Sequence, residues 1–205
     1  MLITIEGIDG SGKSSLVASL CDSLADLCPV FTREPGETWV GGSVRRAIAE
    51  EIDPVAEALL FVADHAVHLA TVVRPALAAG KLVISDRYTD SRYAYQQVTL
   101  TGIIDDPLVW LRRVHEGWTV KPDLTILLVV PIEEAMKRQS GRAGREHFEY
   151  ASLLTRVQEH YLALAREEPS RFIIVDAEKE EAEIHRFVAD AIRSASARSR
   201  SHRRH

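Results

Sequence analysis

The feature that most constrains this chain lies at residues 7–14, Gly-Ile-Asp-Gly-Ser-Gly-Lys-Ser, a complete G-x-x-x-x-G-K-S loop. It follows a short apolar-alternating run, Leu2-Ile3-Thr4-Ile5, and leads into Leu16, Val17, Leu20, Leu24 and Leu27 at helical spacing. Strand, glycine loop and helix in that order are the context in which this motif holds phosphate. Gly7, Gly10 and Gly12 let the backbone wrap close to an anion, and the loop N–H groups, with Ile8, Asp9 and Ser11 between the glycines, face it at the positive end of the helix. Lys13 can reach the β- and γ-phosphates of a nucleotide, and the Ser14 hydroxyl can hold Mg²⁺. A chance glycine turn would lack both flanks.

A chain of 205 residues, 46% hydrophobic and 27% charged, is long enough to bury a real core as one domain. We read no apolar run near the roughly 20 residues that a membrane helix needs, and no leader before the first strand. Cys21 and Cys28 are the two cysteines, and no Cys/His group has zinc spacing, so two reduced thiols in a cytoplasmic protein are expected. The net charge of −5 hides an asymmetry. Residues 193–205 hold five arginines and no acid, which leaves −10 for residues 1–192. An acidic body argues against a nucleic-acid surface. The tail, low in complexity, is expected to be frayed or disordered.

Strand and helix patterns alternate almost throughout. Strands are expected at Val30-Phe31-Thr32, Leu82-Val83-Ile84, Leu124–Val130 and Phe172–Val175. Helices are expected at 44–51, from Pro54 to near Gly80, at 91–98, 106–116, 132–139 and 149–167, and at 180–192. This implies an α/β fold of three layers, a parallel sheet of about five strands with helices on both faces, in one domain over 1–192. Ligands of such sheets sit beyond the carboxyl ends of the strands.

Four further segments carry chemistry. Asp86-Arg87-Tyr88 follows a strand, where the acid can order Mg²⁺ and Arg87 can grip a second phosphate with its planar fork. Thr32-Arg33-Glu34-Pro35-Gly36 places charge on a turn at another strand end. Lys137, Arg138, Arg142 and Arg145, around Gly141 and Gly144, suggest a flap near 138–149 that brings positive charge onto phosphates. Phe61, Asp64, His65 and His68 share one helix face.

Together these segments resemble the thymidylate kinase family. The matches are Glu6-Gly7 through Ser14, Thr32–Gly36 with Arg45 downstream, Leu60-Phe61-Val62-Ala63-Asp64, Asp86-Arg87-Tyr88 with Ser91 and Ala94-Tyr95-Gln96, and Pro122-Asp123-Leu124. They continue with Lys137-Arg138, Phe148-Glu149, Arg156-Val157 and Tyr161, and so span the chain from residue 2 to about 190. The resemblance implies transfer of phosphate from ATP to dTMP, with Mg²⁺, in a homodimer formed through helices on the outer side of the sheet. It implies that Asp9 approaches the sugar 3′-hydroxyl of the acceptor, that Arg87 clamps its phosphate, that Phe61 stacks on thymine and that Tyr95 walls the deoxyribose. Arg33, Arg45 and Ser91 fall in the same acceptor-side motifs, and Arg138 resembles the residue that stacks on adenine. Position 10 is Gly and not Arg, which in this family points to Arg142 and Arg145 as the suppliers of that charge.

The chain departs from the family pattern in three places. His65 stands where an arginine usually reads the pyrimidine O4, the flap ends Glu146-His147-Phe148-Glu149 in place of Asp-Arg-Phe-Glu, and Gly36-Glu37-Thr38 replaces Gly-Gly-Thr. Arg92, between Asp86-Arg87-Tyr88 and Tyr95, can restore the missing guanidinium from the opposite wall, with His65 packed beside it or linked through water. Solvent exposure of Arg92, with water serving O4, is the competing expectation. A nucleoside monophosphate kinase of other base specificity stays open, for dUMP or a modified nucleotide. A GTP-dependent switch would need an Asn-Lys-x-Asp motif, and Val120-Lys121-Pro122-Asp123 lacks the Asn. A non-catalytic nucleotide binder would be expected to lose Lys13, Asp86 or the flap arginines, and none is lost.

Overall fold

The computed structural model describes residues 1–139 and 145–202. Five parallel strands form one sheet in the order β2-β3-β1-β4-β5. They are β1 Leu2–Gly7, β2 Val30–Arg33, β3 Val83–Asp86, β4 Leu124–Val129 and β5 Phe172–Asp176. Every residue of β1 is buried, and so are Val83–Ser85 of β3 and Leu124–Leu128 of β4, because helices cover both faces. The threonines inside the sheet are paired. Thr4 and Thr125 share a hydroxyl contact of 2.9 Å, and Arg171 joins Thr125 to Asp90.

The helices are α1 Lys13–Ser23, α2 Trp39–Glu50, α3 Pro54–His68, α4 Arg74–Ala78, α5 Thr89–Thr99, α6 Pro107–His115, α7 Ile132–Arg138, α8 Arg145–Glu167 and α9 Glu181–His202. A π-helical turn, Leu69–Val73, joins α3 to α4. Asp53 caps α3 by accepting from the N–H groups of Val55 and Ala56, and Pro54 occupies the first turn, where its missing N–H costs nothing. The stretch Pro54–Ala78, 25 residues, is long and apolar enough by length and composition to cross a membrane. The sequence reading that no run comes near that length is corrected here. The same stretch also carries Asp64, His65 and His68, all buried and bonded to the loop after β2.

The expected frayed tail is also corrected. Helix α9 continues unbroken past Ile192 to His202. Val188 and Ile192 are fully buried and Ala195 and Ser196 nearly so. Arg193 reaches Asp26 and the Ser23 carbonyl at the end of α1. Burying an aliphatic side chain contributes about 1.5–3 kcal/mol, whereas exposed ion pairs contribute little, so the apolar face holds this helix. Asp123 is equally structural: its Oδ2 accepts from the Leu2 N–H at 2.7 Å, tying the start of β4 to the start of β1.

The register fixes the site. Ile5 lies opposite Asp86, and Arg33 lies opposite Asp86 on the other side. The carboxyl ends of β1, β2 and β3 therefore converge on one edge, with the glycine loop and the N-terminus of α1 above it.

Candidate active site

A cleft of about 680 Å³ opens at that edge, lined by the loop from Asp9 to Ser15, by Arg33, Glu34 and Pro35, by Asp86 and Arg87, and by Arg138 and Gln139. A second cavity of about 280 Å³ adjoins it, sharing Gly12 and Arg138 and extending past Ser19 to Lys179 and His185. Arg138 is held there by Glu134 and by the Ala177 carbonyl. The segments expected from sequence to meet beyond the strand ends do meet.

The loop is shaped by its glycines. Gly10 has φ +81°, and a Cβ there would lie 2.3 Å from the Ala135 carbonyl oxygen of α7. No side chain fits at position 10, so the absence of a loop arginine is a steric consequence of how α7 docks. Lys13 is buried and donates to the Ile8 carbonyl at 2.7 Å. Burial, and then the Arg87 charge, lower its pKa to about 7, against the pull of Asp9, Asp86 and Glu6. Ser14 donates to Asp86 Oδ2 at 3.2 Å, while Asp86 Oδ1 is buried with no partner.

Arg87 follows β3 with φ +65°. A left-handed non-glycine residue costs on the order of 1–3 kcal/mol. The neighbours hold it: its N–H donates to the Ile5 carbonyl, and the Ser85 hydroxyl donates to its own carbonyl. The guanidinium is placed over the Tyr95 ring, 5.0 Å from the centroid. One nitrogen donates to the Gly7 carbonyl and to Ser91 Oγ; the other donates to Asp9 and to the Tyr95 hydroxyl. Tyr95 also accepts from the Asp9 N–H at 3.0 Å, and burial pushes its phenol up to about 12. Burial opposes the charge of Asp9, but Arg87, Lys13 and the Tyr150 hydroxyl outweigh it and hold the carboxyl below its ordinary value. Beneath Arg87, Glu6 Oε2 accepts from Ser91 at 2.6 Å and from Tyr161 at 2.9 Å, and Oε1 has no partner. Burial and the Asp90 charge push Glu6 up to about 8.

A second cluster lies below the β2 loop. Glu34, next to a cis peptide with Pro35, is fully buried and accepts from Arg92, from His65 Nδ1 at 2.8 Å and from His68 Nδ1 at 2.6 Å. Burial opposes its charge, yet Arg92 and the imidazoles hold the carboxyl well below the usual range. His65 Nε2 meets Thr119, and His68 Nε2 meets Thr32. His115 Nδ1 meets the Leu111 carbonyl, which leaves Nε2 to accept from Arg92 Nε at 3.1 Å. Burial, and then Arg92, lower His65 to about 4 and His115 to about 3. Arg92 is 2% exposed, so the solvent-facing alternative is excluded; its Nη2 is buried without a partner. His65 uses both ring nitrogens inside the protein. Asp64 Oδ2 accepts from the Gly36 N–H at 2.9 Å, beside the loop that Arg45 also grips through the Gly36 carbonyl. Arg33 is exposed and pairs with Glu37. Phe61 is half-buried one turn before His65.

Arg142 and the Arg145 side chain lie outside the described residues, and with them most of the expected flap. Sequence reasoning missed Gln139 and Tyr150, which bond to each other while Tyr150 reaches Asp9, and His115 and Thr119 in the buried cluster. No motif marks any of the four.

A family model described as thymidylate kinase matches residues 5–188. A probable thymidylate kinase of Methanoculleus marisnigri is 62% identical over 200 residues, covering 98% of each chain. One of Methanospirillum hungatei is 61% identical over 193 residues, covering 94% of each. The crystal structure of thymidylate kinase from Ehrlichia chaffeensis superposes with a TM-score of 0.74 at 28% identity, over 94% of this chain and 98% of that one. A phosphate loop with the Arg87 guanidinium poised beside it, on this sheet order and with these relatives, leads to one conclusion: the chain belongs to the thymidylate kinase family.

Proposed function

We propose that this enzyme transfers the γ-phosphoryl group of ATP to dTMP, giving dTDP and ADP. The observation that carries the reading is that one cleft holds two separate anion seats, the loop with Lys13 and the Arg87 fork. A kinase acting on a nucleotide needs one seat for the donor's phosphates and one for the acceptor's. The cavity beside Arg138 then takes adenine, and Phe61, Ser91, Arg92 and Tyr95 surround the acceptor nucleoside, with Arg33 and Arg45 at the β2 loop.

Phosphoryl transfer asks the protein mainly for positioning and charge neutralisation. The acceptor phosphate oxygen is already a nucleophile, so no separate base is needed. Arg87 aligns it, and Lys13 meets the charge on the travelling group. Mg²⁺ fits the donors present: Ser14 and the unpartnered Asp86 Oδ1 are oxygen ligands. That suits an ion held largely by phosphates and water, which neutralises phosphate charge when bound. Arg142 and Arg145 complete the charge set from the flap. Alanine at both positions is expected to lower kcat by about 10³-fold or more with little change in KM for dTMP. A change confined to KM would remove the flap assignment.

His65 is committed to Glu34 and Thr119, which leaves Arg92 Nη2 as the donor we assign to the pyrimidine O4. Removing O4 from the acceptor should then lower kcat/KM by more than about threefold. We assign the chain through α9 to one catalytic domain, the enzyme to the cytoplasm, and the homodimer contact to the outer face of α2 and α3, where Trp39, Ile48 and Leu59 are exposed; no nucleic-acid or membrane partner belongs to this reading. The deciding experiment is ADP release from ATP, screened over nucleoside monophosphates and with none added. Release dependent on dTMP supports the reading. Preference for another base replaces dTMP, and acceptor-independent release removes the kinase assignment.

A further inference from the structure

Asp9 is held from a second direction by a residue to which the reaction as described gives no role. Tyr150, on α8, donates its hydroxyl to Asp9 Oδ2 at 2.9 Å, while Oδ1 takes Arg87. The same hydroxyl lies 3.0 Å from Gln139 Oε1, at the end of α7. One hydroxyl proton cannot serve two acceptors. Gln139 Nε2, as placed, is buried with no partner. Amide oxygen and nitrogen are assigned from hydrogen bonding and not from shape, and turning the amide over resolves both problems. Gln139 Nε2 then donates to the Tyr150 oxygen, and the Tyr150 proton belongs to Asp9 alone.

The consequence appears when Arg87 turns its fork to an acceptor phosphate. Asp9 Oδ1 is then released toward the cleft, while Tyr150 still grips Oδ2. The carboxylate stays charged and keeps one orientation, with the freed oxygen available to a sugar hydroxyl. We propose that Tyr150, oriented by Gln139, is a positioning residue that fixes Asp9 for recognition of the acceptor's 3′-hydroxyl. This rests on the assignment of dTMP as acceptor. The competing explanation is that Tyr150 only anchors the start of α8, and that explanation predicts an effect blind to the sugar.

The test compares the full-length enzyme with Tyr150→Phe and Gln139→Met on two acceptors, dTMP and its 3′-deoxy analogue. For Tyr150→Phe we expect kcat/KM for dTMP to fall about tenfold or more, mainly through KM, because a hydrogen bond to a charged group is lost. Gln139→Met should fall in the same direction by less. With the 3′-deoxy acceptor, wild type and both variants should agree within about twofold. An equal loss on both acceptors, or no loss on dTMP, overturns the proposal. Because Gln139→Met leaves α8 its tyrosine, a sugar-specific loss in that variant supports the proposal even if Tyr150→Phe folds poorly. Wild-type enzyme inactive on dTMP overturns the functional assignment and this proposal together, a result distinct from either failure above.

Discussion

The two ends of the cleft handle charge in opposite ways. Around the loop, Lys13 is lowered to about 7 and Glu6 raised to about 8, and Asp86 and Glu6 each keep a buried oxygen without a partner. Below the β2 loop, Glu34 and Arg92 neutralise each other, and His65 and His115 are spent as uncharged partners. The first region holds groups whose preferred charge is brought by a ligand. The second settles the Glu34 charge internally and leaves one acceptor, Asp64 Oδ1, and one donor, Arg92 Nη2, buried without partners, a setting suited to a neutral ring. Catalysis on phosphate needs the former, and recognition of an uncharged ring needs the latter.

The largest effect is expected at Glu34. Replacing it with Gln leaves Arg92 buried and unpaired, which should cost about 3–5 kcal/mol of stability, read by chemical denaturation. A loss below about 1 kcal/mol would mean that the cluster is not self-contained. Lys13→Ala should do the reverse. Turnover falls by about 10²–10³-fold or more, while the thermal midpoint stays level or rises, because a charge held against burial has been removed. A destabilised but active variant would invert the two regions.

The third test sharpens the contrast through pH. Lys13 at about 7 is largely neutral above that value, and a bound triphosphate favours its charged form. Triphosphate binding at pH 8 should therefore take up close to one proton, and affinity should fall by up to about tenfold per pH unit above 7 and level off below it. Glu6, pushed up to about 8, titrates in the same range, and Lys13→Ala should remove the lysine's share. Calorimetry in two buffers of different ionisation enthalpy reads the proton count, and binding without uptake would show that Lys13 is charged throughout. The smallest effect is expected far from both regions. Truncation after Ile192 removes Ala195, Ser196 and the Arg193–Asp26 pair, so the midpoint should drop by roughly 2–4 °C with turnover unchanged. A midpoint that does not move would return the tail to its expected frayed state.

What was legible in the sequence was local. The loop, the strand ends at Asp86 and Arg33, and the α3 face of Phe61, Asp64 and His65 each announce themselves within a few residues, because strand and helix periods are short. The buried cluster was not legible as a cluster: Glu34, Arg92 and His115 come from three segments, and only the packing of α3, α5 and α6 makes them neighbours. Gln139 and Tyr150 flank the expected flap without belonging to a motif. The tail misled for a different reason. Ser-Ala-Arg repeats look unstructured, yet alanine and arginine are good helix formers, and small residues at 195 and 196 let α9 lie close to α1.

The contact between Gly10 and the Ala135 carbonyl bears on how such an enzyme can change over generations. Any lineage that carries α7 in this position has closed the route to an arginine in the loop, since the first atom of a side chain would already lie 2.3 Å from backbone oxygen. Placing any side chain at position 10 would require α7 to retreat first, a step with no benefit of its own. The placement of one backbone carbonyl thus works as a ratchet: it makes a glycine at position 10 inheritable and hard to replace.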